Sequence, residues 1–170
     1  QNHTTSTSTY NIGVGFTAGQ SITTGIQNTI IGGLAGDALT DADYNVAVGT
    51  SALGADTLGS RAVAIGRNAL QAQNFTTATN NYNVGVGFAA GTAITTGTLN
   101  TLVGGLAGDA LTTGNNNVAF GYEALSADTL GDRNVAIGTQ ALKTQNFTTT
   151  TDAYNTAVGF TAGASITTGT

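Results

Sequence analysis

The chain has 170 residues, of which only 8% are charged, against roughly 25% in an average soluble domain, and its formal net charge is −5. With four Lys and Arg in total, it lacks the clustered cations on which nucleic-acid affinity depends. The absence of cysteine excludes disulfides, thiol catalysis and thiolate metal sites, and no apolar run approaches the roughly 18 residues of a membrane span.

One motif recurs along the chain, and its clearest copy is the stretch 45–53, Asn-Val-Ala-Val-Gly-Thr-Ser-Ala-Leu. The copies begin at Asn11, Asn28, Asn45, Ala62, Asn83, Asn100, Asn117, Asn134 and Asn155. Successive copies follow at a 17-residue step, except for the two 21-residue steps after Ala62 and Asn134. A short fixed period of this kind predicts a solenoid in which each repeat forms one coil, here called a rung.

Three of the shorter steps and one of the longer make a 72-residue superrepeat, and the same spacing separates Tyr10, Tyr82 and Tyr154. The prediction is therefore one array over 1–170, with superrepeats at 10–81, 82–153 and, in part, 154–170. Residues 1–9 align with the ends of the longer rungs and are assigned to a preceding unit. Because the sequence opens within the pattern and contains no methionine, we expect it to be a segment of a longer fibre.

Each rung begins with apolar residues at alternate positions, bounded by Asn and Gly, a pattern that predicts a short β-strand. The glycine that follows is present in every rung and indicates positive φ or close backbone contact with the next rung. Alanine recurs three residues later, where a second strand or extended segment is expected before a Gly-containing turn. Two strands and two turns make one coil, so the predicted fold class is an all-β parallel β-solenoid.

The 21-residue rungs carry four additional residues within 73–81 and 145–153, rich in Thr and Asn. Insertions of this kind are tolerated where a solenoid faces solvent, so regularly spaced surface loops are expected there. Since stacked rungs lie about 4.8 Å apart, nine of them predict a rod roughly 40 Å long.

The middle residue of each predicted strand points to the opposite face from its two neighbours. If the β-branched neighbours fill the coil, these middle residues form an apolar stripe of about 400 Å², large enough to indicate a partner chain. The predicted inter-chain face is Gly13, Ile30, Ala47, Ala64, Gly85, Leu102, Ala119, Ala136 and Ala157. The opposite assignment, with this face inside the coil and the branched residues outside, remains open at this point.

The repeats at 45–53, 62–70 and 134–142 resemble the head repeats of YadA-type trimeric autotransporter adhesins and the related 17-residue repeats of phage tail fibres and bacterial surface fibres. The stretch 155–162, Asn-Thr-Ala-Val-Gly-Phe-Thr-Ala, is similar to the same pattern. The resemblance covers nearly the whole chain. It implies a left-handed parallel β-roll, three chains around one axis, and attachment at a cell or virion surface. The 21-residue rungs depart from the uniform period of those families.

The residues offer little for catalysis or cofactor binding. His3 is the single histidine and stands where the later repeats have Phe75 and Phe147, so it is interpreted as a loop residue. The stretch 32–37 faintly resembles calcium-binding nonapeptide repeats, but it returns only once in each superrepeat, which does not match the short spacing of such sites. We therefore predict no enzyme activity, no cofactor and no metal site.

Asp56 and Asp128 are expected to cap local turns and to pair weakly with Arg61 and Arg133 at the surface. The Asn that opens eight of the nine rungs predicts a stacked amide ladder or a left-handed turn residue. The tyrosines that precede some of these Asn residues are expected to pack across turns, with carbohydrate stacking as the alternative. These tyrosines are Tyr10, Tyr44, Tyr82 and Tyr154.

Three glycosylation sequons fall at one position of the repeat, and their acceptors are Asn2, Asn74 and Asn146. The alternative at this position is an unmodified polar loop. Because one duplication produces all three, they count as one observation.

These patterns together predict a non-enzymatic structural and adhesive fibre segment, extracellular at a cell or virion surface. Its expected partners are copies of itself and a host surface or carbohydrate. One alternative is an ice-binding solenoid, based on a threonine column at Thr23, Thr40, Thr57, Thr95, Thr112 and Thr129. The other alternative is a phage fibre depolymerase, which needs a carboxylate pair in a groove between chains.

Overall fold

A computed structural model describes residues 8–170, and over that range the chain is an all-β parallel solenoid of about nine turns with no helix. The predicted fold class is confirmed at this level. The main sheet contains β1 (Ile12–Val14), β2 (Thr29–Ile31), β3 (Val46–Val48), β5 (Val63–Ile65), β7 (Val84–Val86), β8 (Thr101–Val103), β9 (Val118–Phe120), β11 (Val135–Ile137) and β13 (Thr156–Val158). Two smaller parallel pairs join β4 (Gly59–Ser60) to β6 (Thr79–Asn80) and β10 (Gly131–Asp132) to β12 (Thr151–Asp152).

Neighbouring strands of the main sheet pair in parallel, and equivalent residues of the repeat lie directly above one another. Ile12 pairs with Thr29, and across the first insertion Val63 pairs with Val84. The four additional residues of that rung therefore leave the strand register unchanged. Repeated sequence thus produces repeated backbone, as expected for a solenoid.

The glycine after each main-sheet strand is required by the backbone. Its φ lies between +126° and +138° in all nine rungs, a region that residues with a side chain rarely occupy. A Cβ at Gly66 would lie 2.4 Å from the carbonyl oxygen of Gly87, and one at Gly49 would lie 2.6 Å from Gly66. The predicted glycine column is confirmed, and it marks a place where the backbones of successive rungs are in close contact.

The second strand predicted at the recurring alanine is wrong, because the backbone turns there instead. The residues immediately before and after each alanine have left-handed backbone angles, as Ser51 and Leu53 do around Ala52. A third left-handed residue precedes the opening Asn, as Tyr44 precedes Asn45. Three such residues in each rung reverse the chain within a few positions, which leaves no extended segment long enough for a strand.

The predicted inter-chain face is also wrong, because these middle strand residues lie inside the coil. Ala47, Ala119 and Ala136 have no solvent exposure, and Ile30 and Leu102 are as deeply buried. Gly13, in the terminal rung, is the one exposed position of the series, and Ala64, Gly85 and Ala157 are buried like the others. The alternative left open by the sequence is the observed one, with the β-branched residues outside.

The coil interior is narrow beside the main sheet. The middle residue of each strand and the residue six positions later share the available volume there. Where the middle strand residue is Ala47, the residue six positions later is Leu53; where it is the larger Leu102, the corresponding residue is Gly108. A Cβ at Gly108 would lie 2.8 Å from a methyl group of Leu102, so the two positions cannot both be large. This exchange of volume holds in six of the nine rungs, and in the rungs of Gly13, Gly85 and Ala157 both positions are small.

The opening Asn residues form the predicted amide ladder. The side-chain oxygen of Asn28 accepts a hydrogen bond from the backbone N–H of Asn45 at 2.9 Å, and the Nδ2 of Asn45 donates to the carbonyl of Gly59 at 2.9 Å. Both Asn side chains are fully buried. Each amide therefore joins two neighbouring rungs and closes its own turn, which explains why this residue recurs.

The longer rungs are anchored by a buried polar chain that the sequence analysis missed. Asp56 Oδ1 accepts hydrogen bonds from the backbone N–H groups of Gly59 and Phe75, both at 3.0 Å. Its Oδ2 accepts from Gln73 Nε2 at 2.6 Å, and Gln73 Oε1 accepts from Asn83 Nδ2 at 2.8 Å. Asp128, Gln145, Phe147 and Asn155 repeat the arrangement. Each predicted insertion thus begins with a buried anchor before residues 76–78 and 148–150 become exposed.

Turn capping by Asp56 and Asp128 is confirmed by these bonds to Gly59 and Gly131, but the predicted pairing with arginine is wrong. Both carboxylates are fully buried, whereas the arginines are exposed. Arg61 instead donates to Asn80 Oδ1 at 3.0 Å, and Arg133 forms an ion pair with Asp152.

Candidate self-association face

The outward side of the main sheet is an exposed apolar surface, which we call the sheet face. It consists of the first and third residues of each of the nine strands, because their side chains point away from the coil interior. Those residues are Ile12, Val14, Thr29, Ile31, Val46, Val48, Val63, Ile65, Val84, Val86, Thr101, Val103, Val118, Phe120, Val135, Ile137, Thr156 and Val158. No charged residue is among them. Even in the middle of the rod, Phe120 is 56% exposed and Ile65 is 39% exposed.

Two columns of residues border the sheet face. The tyrosine edge lies before the strands and contains Tyr10, Gln27, Tyr44, Arg61, Tyr82, Leu99, Asn116, Arg133 and Tyr154. The phenylalanine edge lies after the glycine column and contains Phe16, Gly33, Thr50, Arg67, Phe88, Gly105, Tyr122, Thr139 and Phe160. Three of the four basic residues lie on these edges. The aromatic residues therefore frame the sheet face on both sides.

Cations on the edges lie against aromatic rings of adjacent rungs. The Arg61 guanidinium lies 4.7 Å from the ring centroid of Tyr44 and 5.9 Å from that of Tyr82. Arg67 lies 5.7 Å from the Phe88 ring. The expected packing across rungs is confirmed for Tyr44, Tyr82 and Tyr154, whose rings lie against Arg61 or Arg133, and these contacts hold the edge side chains along the rod axis.

The sheet face together with its two edges has about the size of a protein interface. Eight spacings of about 4.8 Å give a length of about 38 Å, and seven residues from edge to edge give a width of about 20 Å. The product is about 750 Å², close to the roughly 800 Å² that each partner contributes to a standard protein interface. The sheet face alone is three residues wide and covers about 380 Å², within the range of about 300–600 Å² for the largest apolar patch of a typical monomer.

The exchange of volume between the strand and the opposite turn is the signal by which the sequence could have located this face. Ala47, Ala64, Ala119 and Ala136 are each followed six residues later by Leu, whereas Ile30 and Leu102 are followed by Gly. Residues that compensate one another in size must touch, so their shared side is the interior. The branched residues of the same strands are then outside.

The threonine column on another side of the rod uses its hydroxyl groups within the chain. Thr40 Oγ1 donates to the carbonyl of Thr57 at 3.1 Å, and Thr112 Oγ1 donates to the carbonyl of Thr129 at 3.0 Å. At the longer rungs, Thr57 and Thr129 bond to the carbonyls of Phe75 and Phe147. These hydroxyl hydrogens connect rungs and are not directed at water, which does not favour an ice-binding surface.

A depression of about 270 Å³ lies over rungs two to four and is lined by Leu34, Asp37, Ser51, Gly54, Ala55 and Gln71. Asp37 is the one titratable side chain in that lining. The same place four rungs later holds a charged cluster, in which Lys143 Nζ lies 2.5 Å and Gln140 Nε2 lies 2.9 Å from Glu123 Oε2. No group of His, Cys, Asp or Glu in residues 8–170 has an arrangement suited to a metal ion.

Hydrogen bonding and burial shift the pKa values of two carboxylates in this second cluster. Hydrogen bonds from Lys143, then Gln140 and Tyr122, lower the pKa of Glu123 to about 2 because they favour its ionised form. Burial raises the pKa of Asp109, whose Oδ1 has no hydrogen-bond partner among the described residues. The pKa values of the two carboxylates are therefore shifted in opposite directions from their ordinary values.

The predicted glycan acceptors Asn74 and Asn146 are exposed at the start of the insertions. Their side-chain oxygens accept hydrogen bonds from Thr57 and Thr129, at 3.2 Å and 3.0 Å. Asn2 and His3 lie outside the described residues. Within 8–170 there is no helix capable of crossing a bilayer.

Comparison of the chain with family models, curated proteins and solved structures found no match.

Proposed function

We propose that this chain is a non-enzymatic structural and adhesive fibre segment: a β-solenoid rod of an extracellular filament, a surface adhesin or a phage tail fibre. Three parallel copies associate through their sheet faces around one axis, as a left-handed β-roll with 17-residue rungs and a 21-residue rung in every fourth position. The observation that carries the proposal is the uncharged, exposed sheet face along the whole length of the rod. The resemblance of the repeats to fibre proteins supports the same role.

The mechanism of such a segment is mechanical. Backbone hydrogen bonds between rungs run along the rod axis, as in Gly49 N–H to Ile31 O at 2.7 Å and Asn68 N–H to Thr50 O at 3.0 Å. The buried Asn ladder adds side-chain bonds in the same direction. Pulling along the axis must break several bonds at one rung together, so the rod suits a stalk or spacer.

Association of copies follows from the cost of leaving the sheet face in water. Removing the sheet face of about 380 Å² from solvent contributes up to about 10 kcal/mol per copy at about 25 cal/mol per Å². Translational, rotational and side-chain entropy offset a large share of this value. The sheet face itself carries no charged residue, and the three arginines lie on its edges, so its association with like copies does not require an ion to be desolvated at the centre of the interface.

The direct test is the mass of the native chain in solution, measured by light scattering on a size-exclusion column. We expect a homotrimer, and a single-chain mass at micromolar concentration would contradict the proposal. Val118→Glu with Val135→Glu should weaken association at least tenfold, because each places a charge in the apolar interface.

Two matched variants separate loss of association from loss of folding. Thr77→Glu with Thr149→Glu adds the same charges on exposed insertion residues and should leave the mass unchanged. Ala119→Glu places a carboxylate inside the coil, so it should unfold the rod and not merely dissociate it.

Glycans on Asn74 and Asn146 belong to the same proposal, because they would cover a rod with few charges at regular intervals. Intact-mass measurement of the native protein tests this part separately. The bare polypeptide mass would exclude the modification and leave the fibre role intact.

A further inference from the structure

The two arginines of the tyrosine edge differ in their countercharge. Arg133 forms an ion pair with Asp152 of the second insertion. Arg61 is the equivalent residue one superrepeat earlier, and Asn80 stands there in place of the carboxylate. The Nε of Arg61 donates to Asn80 Oδ1 at 3.0 Å, and its remaining N–H groups have no hydrogen-bond partner among the described residues. The first superrepeat therefore keeps the cation without the anion.

A second unpaired cation lies on the phenylalanine edge beside the same strand. Arg67 is exposed, and its guanidinium contacts the Phe88 ring but forms no ion pair within 8–170. The equivalent residue in the second superrepeat is Thr139. Residues 61–67 thus carry two unpaired positive charges, whereas the one cation of residues 133–139 has a carboxylate partner.

A closed ring of like-oriented copies brings these two cations together. Rotation about the axis without translation leaves equivalent rungs at the same height, and the tyrosine edge of one copy meets the phenylalanine edge of the next. Within one chain the backbones of Arg61 and Arg67 are about 20 Å apart. Across the interface they belong to the same layer, and neither edge contains an acidic residue in any rung. Two guanidinium groups therefore meet there without a countercharge.

We propose that Arg61 of one copy and Arg67 of its neighbour together bind a small divalent oxyanion such as sulfate. This inference rests on the proposed self-association, and a trimer would hold three such sites in one layer. A dianion balances the two charges, and planar guanidinium groups donate pairs of hydrogen bonds to the oxygens of such an anion. A dissociated chain offers only one arginine to each anion, so the assembly should bind it more tightly.

Tighter binding to the assembly couples the anion to association. Each site multiplies the association constant by one plus the ratio of anion concentration to dissociation constant. At about ten times the dissociation constant, three sites should raise the association constant of the trimer about a thousandfold.

Isothermal titration calorimetry of the assembled protein with sodium sulfate tests the site. Sulfate is kept below about 10 mM at an ionic strength fixed with chloride, so that its general exclusion from protein surfaces contributes little. We expect one sulfate per chain, and at least tenfold weaker binding to the dissociated variant Val118→Glu with Val135→Glu. Equal binding by that variant, or no saturable binding by the trimer, would overturn the anion site. A native mass of one chain would instead defeat the proposed association.

Exchanging residues between the two superrepeats provides a matched pair of variants. Asn80→Asp supplies the carboxylate of the second superrepeat and should weaken sulfate binding at least tenfold without changing the native mass. In the converse variant, Thr139→Arg with Asp152→Asn, the second superrepeat acquires the charges of the first. The amount of sulfate bound should then rise from one to two per chain. Unchanged sulfate binding in either variant would contradict the assignment of these arginines.

Discussion

The substitution Asp56→Asn tests the buried polar chain that anchors the longer rung. It preserves the shape of the side chain and the oxygen that accepts from Gly59 and Phe75, at 3.0 Å each. The other oxygen becomes an NH₂ group facing Gln73 Nε2, which lies 2.6 Å from that oxygen in the native chain. Two donors then oppose one another in a fully buried place. If Gln73 rotates to avoid this, its oxygen no longer accepts from Asn83.

The cost follows from the lost bond and the donor left unpaired. A hydrogen bond to a charged group contributes about 1.5–3 kcal/mol, and an unsatisfied buried donor costs about 1–3 kcal/mol. We therefore expect Asp56→Asn to destabilise the rod by about 3 kcal/mol. At about 2–4 °C per kcal/mol for a chain of this size, the thermal midpoint should fall by about 6–12 °C.

A second substitution restores the pattern of donors and acceptors. In Asp56→Asn with Gln73→Glu, the new carboxylate accepts from both the new amide at position 56 and the amide of Asn83, so most of the lost stability should return. Thermal unfolding followed by circular dichroism measures all variants of the cycle. Asp128→Asn with Gln145→Glu repeats the test in the second longer rung. A loss below about 1 kcal/mol for Asp56→Asn, or no recovery in the double variant, would refute the proposed direction of these hydrogen bonds.

Two further predictions concern single positions. Gly66→Ala should destabilise the rod by more than about 2 kcal/mol, because its φ of +130° is strained for alanine and the new Cβ would lie 2.4 Å from the next rung. The control Gly33→Ala should change the denaturation midpoint very little. If the two substitutions lowered the midpoint equally, the proposed requirement for glycine in the glycine column would be wrong. For Glu123, the folded pKa of about 2 is below its ordinary value near 4.5, so its contribution to stability is present above pH 4.5 and is lost as the pH falls toward 2. Glu123→Gln should therefore reduce the drop in thermal midpoint between pH 5 and pH 2.5, and an unchanged drop would indicate that the contacts with Lys143 do not act on folding.

The repeat itself was enough to predict much of the backbone. A glycine in all nine rungs indicates a position that only glycine occupies, and the structure places a φ between +126° and +138° and a close backbone contact with the next rung there. The recurring Asn predicted the amide ladder for a similar reason. These features depend on one residue type at one position, and stacking then repeats them along the rod.

The buried hydrogen bonds that join Asp56, Gln73 and Asn83 could not be predicted from the sequence. In other rungs the position of Asp56 is occupied by apolar residues such as Leu39 and Leu111, and an isolated acid in a repeat of this kind suggested an exposed turn. Its side-chain partner Gln73, and Asn83 that bonds to Gln73, belong to later parts of the chain, so their proximity depends on how the longer rung closes. Only the folded coil brings the carboxylate, the amide and the two backbone N–H groups together.

The sequence by itself determined the period, the fold class and the column of glycines, because each follows from a pattern along the chain. The alternation within the strands did not by itself determine which side of the strand is inside. Ala119 and its neighbours Val118 and Phe120 are all apolar, and alternation gives two faces without saying which one is enclosed. The tertiary structure decided this, because it places the middle residue of each strand, including Ile30 and Leu102, inside the coil against the turn that follows. The branched and aromatic residues remain on the surface, where the proposed assembly would cover them.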